Sequence, residues 1–320
     1  MIVQLNEKNF NFYCSEILEI NKRDSIEYNL NFLKYLKEIE IKSKFIDNSF
    51  AVIQENKPVA IFLGNIQKKK NSKLKMYSLS SVFFEGNINL KKKTKKIAIN
   101  YFEKILKDCG GMIEFEDFLK NGKINIITEY LISKNAKISH KIYKKIDLSK
   151  DEKILRESIR KSYKSLINWG EREIEVNIYD KHNILKSNFK SYKKLHFEVA
   201  KKQTRSDKSW EIQYGLIKSG NCFLIVGKYQ KQIVTGGLFF NNGYVCNYGA
   251  SVSKRELFEK PLFHNILWKA IQIAKKKKYQ FFLIKWGLIN KKLTKKEISI
   301  DDFKNGFSGD SQISLSISLN

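Results

Sequence analysis

The stretch from Cys222 to Ile284 constrains the fold more than any other part of the chain, because strand and turn signals alternate along it at short range. Two of its turns are plain in the sequence: a polar one at residues 229–232, and Asn241-Asn242-Gly243, whose residue types tolerate positive φ. Between and around them lie short apolar runs suited to buried strands, namely Cys222–Val226, Ile233–Phe240 and Tyr244–Ala250.

An amphipathic helix and a last strand complete this stretch. Pro261 is predicted to open the helix, where a missing N–H costs no hydrogen bond, and Lys275–Lys278 to close it. Its apolar residues recur at spacings of three and four: Leu262, Phe263, Ile266, Leu267, Ala270, Ile271 and Ala274. Phe281–Ile284 is predicted to be a buried strand. Strands in a hairpin, then a helix, then a return strand are typical of a mixed α/β sheet.

The first half of the chain repeats this order of elements. It offers strands at Phe50–Gln54, Val59–Leu63, Met76–Phe84 and Met112–Phe115, a turn at Glu55–Lys57, a helix at Lys95–Asp108, and further strands within Lys123–Ile146. The repeat is one of element order and not of residues. It predicts an α/β protein with mixed sheets in two similar domains, residues 1–146 and 147–320.

Helices dominate the start of the second half. Glu152–Trp169 is predicted to be one helix with a basic face, Ile174–Ile178 a strand, and Phe189–Lys201 a helix that runs into Thr204–Trp210. The basic face has two open interpretations, a binding surface or ordinary solvated charge.

Length and composition favour a water-soluble protein of the cytoplasm. The 320 residues suffice for two domains, no run of 18 apolar residues predicts a membrane span, and the first residues lack a signal-peptide pattern. The four cysteines have neither metal-ligand nor redox spacing, so we expect free thiols of a reducing compartment and no metal site: Cys14, Cys109, Cys222 and Cys246.

The formal charge of +27 suggests a polyanionic partner such as nucleic acid. Only six of the 60 basic residues are arginine, however, and lysine, asparagine and isoleucine are abundant throughout, as an AT-rich genome would impose. A non-catalytic RNA-binding protein therefore remains one alternative, although the basic residues are dispersed and no common RNA-binding motif is present. Five of the six arginines follow residue 150, and arginine suits bidentate binding of phosphate or carboxylate.

An ordered series of residues in the second half resembles one known family. The series includes Asp147, Ile159-Arg160-Lys161, Phe189, Tyr192, His196, Thr204-Arg205, Trp210, Gly236-Gly237, Tyr244, Tyr248-Gly249, His264, Trp268 and Phe303-Lys304-Asn305-Gly306-Phe307. It resembles the FemAB-like acyltransferases, which carry two GNAT-like acyltransferase domains in tandem. The resemblance covers residues from about 147 to 310, and the first half matches by element order alone.

The resemblance implies transfer of an acyl group to an amine. Better-known members use aminoacyl-tRNA to extend the peptide of a cell-wall precursor, and others resemble acetyltransferases of surface-polysaccharide pathways. Such a transfer needs no metal and no covalent nucleophile. The amine must lose a proton, and donors must stabilise the oxyanion that forms as it attacks the carbonyl. We therefore expect no permanently bound cofactor, and aminoacyl-tRNA or acyl-CoA as co-substrate.

The resemblance also implies roles for particular residues. Lys304 would meet phosphate or the charge of the reacting carbonyl, and Phe303 beside it would contribute to substrate binding. Arg205 would bind the phosphates of a nucleotide-linked acceptor. The alternatives are an ordinary surface lysine, and an ion pair of Arg205 with Asp207 or Glu211.

Aromatic and histidine side chains complete the candidate site. Tyr248 would donate a hydrogen bond to the oxyanion or acceptor, with Tyr244 a weaker candidate, and Trp210 would stack on a base or sugar. His196, and equally His264, is a conceivable base. For each of these side chains, burial in the core is the alternative.

One segment departs from the acyl-CoA pattern. GNAT enzymes that use acyl-CoA have a glycine-containing loop before the helix that follows the central strand, and its N–H groups hold the pyrophosphate. Here the segment Ser253–Pro261 contains no glycine, and neither does Asn87–Lys93 of the first half. This favours a FemAB-type donor, with an acetyl-CoA-dependent N-acetyltransferase of amino-sugar nucleotides as the alternative.

Overall fold

The computed structural model describes residues 1–21, 43–69, 81–110, 113–119, 122–288, 294–307 and 309–319, with isolated positions between 32 and 39. Two compact units form: the first comprises Met1–Ile142, Leu288–Lys291 and Ile313–Asn320, and the second Tyr143–Gly287 and Lys292–Gln312.

Strands of the described residues are numbered in chain order. They are β1 Ile2–Gln4, β2 Ser43–Asp47, β3 Phe50–Gln54, β4 Lys57–Leu63, β5 Asn65–Lys69, β6 Val82–Glu85, β7 Ile113–Asp117, β8 Lys137–Asp147, β9 Glu175–Tyr179, β10 Cys222–Tyr229, β11 Gln232–Asn241, β12 Val245–Ser253, β13 Phe281–Leu288 and β14 Asp310–Leu319.

Helices are numbered in the same way. They are α1 Phe10–Asn21, α2 Lys92–Asp108, α3 Ile126–Ser133, α4 Glu152–Ser158, α5 Lys161–Glu173, α6 Lys186–Ala200, α7 Asp207–Lys218, α8 His264–Lys276 and α9 Lys295–Asn305. None of these helices is both long enough and apolar enough to span a membrane.

The first unit is built on an antiparallel sheet of order β1-β3-β4-β6. The predicted turn between β3 and β4 is confirmed, and Glu55 and Asn56 adopt φ angles of 51° and 61° there. Helix α2 packs its apolar face on this sheet, where the rings of Phe62 and Phe102 lie 5.5 Å apart. Part of the predicted run Met76–Phe84 lies outside the described residues; β6 occupies its end.

The prediction of further strands within Lys123–Ile146 is confirmed for β8, but the segment before it forms α3 and not a strand. Asn125 caps α3 by accepting hydrogen bonds from the N–H groups of Ile127 and Thr128. The buried carboxylate of Asp117 in turn accepts from the Asn125 N–H and, at 2.6 Å, from the Thr128 hydroxyl. This contact with β7 is non-local, so the apolar residues of the segment gave no sign of it.

The second unit contains the predicted meander. Strands β9, β10, β11 and β12 pair antiparallel in sequence order, and β13 joins β12 in parallel. The turn at Asn241–Gly243 is confirmed, with Gly243 at a φ of 86°. Helices α5 and α8 cover a core that includes Phe223, Phe239 and Phe282.

Two helix predictions in this unit need correction. Glu152–Trp169 is not one helix, because Ile159 and Arg160 are extended and separate α4 from α5. The Arg160 N–H donates instead to the carbonyl of Gly306 at 2.9 Å, a tertiary bond that replaces a helical one. Pro261 does not open α8, which begins at His264, because the chain turns through residues 260–263 so that Leu262 enters the core.

Candidate active site

In the part of the chain that the structure describes, strands β12 and β13 pair over their first residues and leave an opening in the pairing beyond them. Their parallel pairing runs from Val245↔Phe281 to Asn247↔Leu283. Within the described residues it stops there, although β12 continues to Ser253. The carboxyl ends of parallel strands are where open α/β sheets bind ligands. We therefore take this opening as the candidate active site.

Strand β12 contains a β-bulge just after its pairing with β13 ends. Phe239 pairs with Tyr248 and Leu238 with Ala250, so that Gly249 is an extra residue in β12. A Cβ on Gly249 would lie 2.2 Å from the ring of Phe240. Glycine is therefore required next to Tyr248, which is the first residue of β12 beyond the pairing with β13.

Tyr248 is fixed by aromatic packing and one hydrogen bond. Its ring centroid lies 5.5 Å from that of Phe263 and 6.0 Å from that of Phe239, both in stacked arrangements. Its hydroxyl lies 2.5 Å from the Ser251 hydroxyl. Burial raises the pKa of Tyr248 to about 12, with the Ser251 bond opposing in part. The phenol therefore stays protonated and can donate a hydrogen bond.

Lys304 lies beside this tyrosine, in the last turn of α9. Its Nζ is 5.6 Å from the centroid of the Tyr248 ring. Burial lowers the pKa of Lys304 to about 8, and the charge of Asp301 opposes that shift. At neutral pH such an amine is roughly nine-tenths protonated. The site thus has a half-buried cation that titrates close to neutrality.

Aromatic side chains pack together around the segment of chain that carries Lys304. Phe303 contacts His264 edge-on at 5.0 Å between centroids, and Phe307 at 5.4 Å. Burial lowers the pKa of His264 to about 4, opposed by the Pro261 carbonyl, so this ring is neutral at pH 7. The glycine of the Phe-Lys-Asn-Gly-Phe segment lies against Tyr163, where a Cβ on Gly306 would be 2.1 Å from the ring.

Arg205, Trp210 and His196 form a separate group, on α6, α7 and the segment between them. The Arg205 guanidinium carbon lies 5.0 Å from the Trp210 ring centroid, and the His196 ring 5.3 Å from it. Trp210 is 2% exposed. Burial, and secondly the charge of Arg205, lower the pKa of His196 to about 3.

Several polar atoms of this group are buried without a hydrogen-bond partner in the described structure: Nε and Nη1 of Arg205, Nε1 of Trp210, Nε2 of His196 and Oγ of Ser209. An unsatisfied buried donor costs about 1–3 kcal/mol. An anionic ligand or a water molecule in this place would therefore provide hydrogen-bond partners for these buried N–H groups.

The two groups lie on opposite faces of the sheet. A Cβ on Gly236 would meet the ring of Tyr192 at 3.0 Å, whereas a Cβ on Gly237 would meet Phe263 at 2.9 Å. Successive strand residues point to opposite faces. The structure therefore brings Lys304, Phe303 and Tyr248 together and separates them from the Arg205 group.

Tyr244 belongs to neither group. It precedes β12, and its ring lies 6.0 Å from that of Phe281. The binding roles predicted for Tyr244, Trp210 and Phe303 stay predictions. Tyr163 and Ser251 also contact the Lys304 group. Sequence reasoning missed Tyr163 and assigned no role to Ser251, and neither residue type carried a signal by itself.

The segment before α8 contains two acidic residues. It forms a short 3-10 helix at Arg255–Leu257, and the side chains of Glu256 and Glu259 are 67% and 63% exposed. Each lies near a lysine, at 3.8 Å from Lys254 and 3.7 Å from Lys260. Carboxylates and the absence of glycine make this segment unlike a pyrophosphate-binding loop.

Neither a protein-family model nor a curated protein matches the sequence. Solved structures do match over nearly the whole chain. FemX gives a TM-score of 0.68 at 11% identity, covering 98% of this chain and 96% of its own. A tandem GNAT protein from the clavulanic acid biosynthesis pathway gives 0.58 at 9% identity, covering 100% and 98%. L-PGS from Bacillus licheniformis gives 0.58 at 9% identity, covering 99% and 92%.

These similarities define the fold. Identities of 9–11% leave the activity open, but scores above 0.5 over the whole chain show a shared architecture. The chain has the tandem GNAT-like fold of FemX. The predicted mixed α/β architecture and the resemblance to FemAB-like proteins are confirmed at the level of the fold.

Proposed function

We propose that the protein is an N-acyltransferase that moves an aminoacyl or acyl group to an amine of a nucleotide-linked sugar or cell-wall precursor. The observation that carries the proposal is the position of the Lys304 ammonium, beside the Tyr248 ring at the opening between β12 and β13. The FemX-like fold supports the same reaction class.

The reaction requires little of the protein beyond positioning and charge. The neutral acceptor amine attacks the acyl carbonyl and forms a C–N bond. The C–O bond to tRNA or the C–S bond to CoA then breaks, and the proton lost by the amine ends on the leaving hydroxyl or thiol, by way of solvent. Lys304 and the Tyr248 hydroxyl stabilise the oxyanion that develops between these steps. His196 is not assigned the role of general base, because a group with a pKa of about 3 is a weak base at neutral pH.

In this proposal Arg205 binds a phosphate of the acceptor that is remote from the reacting amine, because the Arg205 group lies on the opposite face of the sheet from Lys304. Its unsatisfied buried N–H groups, with that of Trp210 nearby, support an anion at this place. Stacking on Trp210 holds the guanidinium in position, so Trp210 acts through Arg205.

A CoA-dependent acetyltransferase is the second candidate. The chain shares its fold with a tandem GNAT protein, and the residues of β12 beyond the pairing with β13 offer unpaired backbone groups to either donor. The absence of glycine from the segment before α8 is evidence against this donor. We therefore place aminoacyl-tRNA first.

A ligand screen followed by a transfer assay tests the proposal. Purified protein is melted with acetyl-CoA, aminoacyl-tRNA and nucleotide-linked amino sugars, and donor–acceptor pairs that raise the melting temperature are assayed for product by mass spectrometry. Lys304→Gln should lower kcat by about 100-fold or more, and Lys296→Gln, an exposed lysine of the same helix, should not.

Normal turnover by Lys304→Gln would contradict the assignment of Lys304. Salt-sensitive RNA binding with no transfer from any donor would favour the non-catalytic alternative.

A further inference from the structure

Helix α9 carries Lys304 yet buries none of its residues completely. Ile298 and Ile300 on this helix are 54% and 43% exposed. A helix is ordinarily positioned by an apolar face packed on the core. Here the apolar packing comes from Phe303, near the end of the helix, so the placement of Lys304 depends on contacts in that last turn.

The strongest polar contact there joins α9 to the break between α4 and α5. The guanidinium of Arg160 binds the carboxylate of Asp302 in a bidentate manner, with Nη1–Oδ2 at 3.1 Å and Nη2–Oδ1 at 2.9 Å. The backbone N–H of Arg160 also donates to the carbonyl of Gly306 at 2.9 Å. Two kinds of contact from one residue therefore hold both sides of Lys304.

Tyr163 completes this arrangement. Its ring lies 5.1 Å from the Arg160 guanidinium carbon and packs against Gly306, and its hydroxyl donates to the carbonyl of Asp302 at 3.5 Å. The chain interrupts a helical segment at Arg160, and loses the helical bonds of that turn, to present these groups.

We propose that Arg160 and Asp302 are positioning residues, which hold the last turn of α9 so that the Lys304 ammonium stays against Tyr248. Bidentate pairing fixes direction as well as distance, and the planar fork of arginine is suited to it. The consequence for catalysis rests on the proposed function, whereas the effect on Lys304 itself does not.

Loss of the pair should change the surroundings of Lys304. The charged and titratable groups that face it include Tyr248 from β12, Asp301 on α9, and, through Phe303, His264 from α8. Tyr163 and Arg160 face the turn from α5. If the turn moves outward, Lys304 gains water and its pKa should rise towards the ordinary lysine value of 10.5.

The titration of Lys304 can be measured without any activity. We would label the protein with an amine-reactive reagent at a series of pH values and quantify the Lys304 peptide by mass spectrometry. In Arg160→Ala and Asp302→Asn the midpoint should rise by about one pH unit. Arg160→Lys should restore it only in part, because it lacks the bidentate fork. Glu175→Gln removes the acid of another surface ion pair, Lys228–Glu175, and should leave the midpoint unchanged.

Both members of the pair are partly exposed, with side chains 40% and 64% accessible, so these variants should fold. Transfer assays on the same proteins should show kcat about tenfold lower with little change in KM. An unchanged Lys304 midpoint in a folded Arg160→Ala protein would overturn the proposal. A shifted midpoint in a protein that transfers no acyl group would instead support the positioning and reject the proposed function.

Discussion

The Nζ atom of Lys304 lies 5.6 Å from the centroid of the Tyr248 ring. The aromatic face attracts the ammonium, while burial favours the neutral amine. Burial prevails, and the pKa of Lys304 is lowered to about 8. A cation of this kind is weakly hydrated and positioned in advance, which makes it effective at stabilising a negative charge that forms beside it.

Activity should fall as the pH rises through about 8. Lys304 is protonated below that value, and above it loses the charge that would stabilise the oxyanion in the proposed reaction. Deprotonation of the acceptor amine raises activity over the same pH range. The pH profile of Lys304→Arg therefore serves as the comparison, because it separates the two effects. Arginine stays charged, and this variant should lose the alkaline limb of kcat/KM. An alkaline limb retained at the same pH in an active Lys304→Arg protein would assign it to another group.

Gly306→Ala should destabilise the protein by about 1–3 kcal/mol, because its Cβ would lie 2.1 Å from the ring of Tyr163. Urea unfolding measures the effect. Gly215→Ala is the matched control: it lies on α7 with nothing within 4 Å of a new Cβ, and should stabilise by about 0.5–1 kcal/mol. Equal stability of Gly306→Ala and wild type would show that the turn can move away from Tyr163.

Stability should fall on acidification from pH 6.5 to about 4, through His196 and His264. Their folded pKa values, about 3 and about 4, lie below the unfolded value near 6.5. The unfolded chain therefore binds more protons in this window, and each histidine removes on the order of 1–2 kcal/mol by pH 5. The urea midpoint of His196→Gln should therefore change less with pH than the urea midpoint of the wild type. Parallel curves for the two proteins would contradict burial of a neutral His196.

Arg205→Leu should raise the KM for a phosphate-bearing acceptor by roughly 10- to 100-fold, because it removes charge-assisted hydrogen bonds of about 1.5–3 kcal/mol. Its effect on kcat should be small, since Arg205 lies on the opposite face of the sheet from Lys304. Arg172→Leu, an exposed arginine of α5, is the control. Loss of kcat with unchanged KM would place Arg205 in the chemistry instead of in binding.

The meander β10–β12 could be predicted because its information is local. Asn241-Asn242-Gly243 signals its own turn, and the apolar runs on either side need no knowledge of the rest of the chain. The grouping of Phe303, Lys304 and Tyr248 came from the family resemblance, since residues 56 positions apart give no spacing signal.

What the sequence could not show depends on distant contacts. The end of the helix at Ile159 follows from the bond between Arg160 and Gly306. The position at which the pairing of β12 with β13 ends depends on contacts between strands that are distant in sequence. Helix α9 was missed for another reason: its capping box, Thr294 with Glu297, was present in the sequence and was not used.

The contact between Arg160 and Asp302 joins residues 142 positions apart. Closing so long a loop is slow compared with forming a helix or hairpin. Most of the second unit can therefore acquire its secondary structure while Lys304 is still away from Tyr248. In a refolding experiment, the recovery of helix and sheet signals would come before the recovery of turnover. The interval between the two would measure the docking of a single turn of helix.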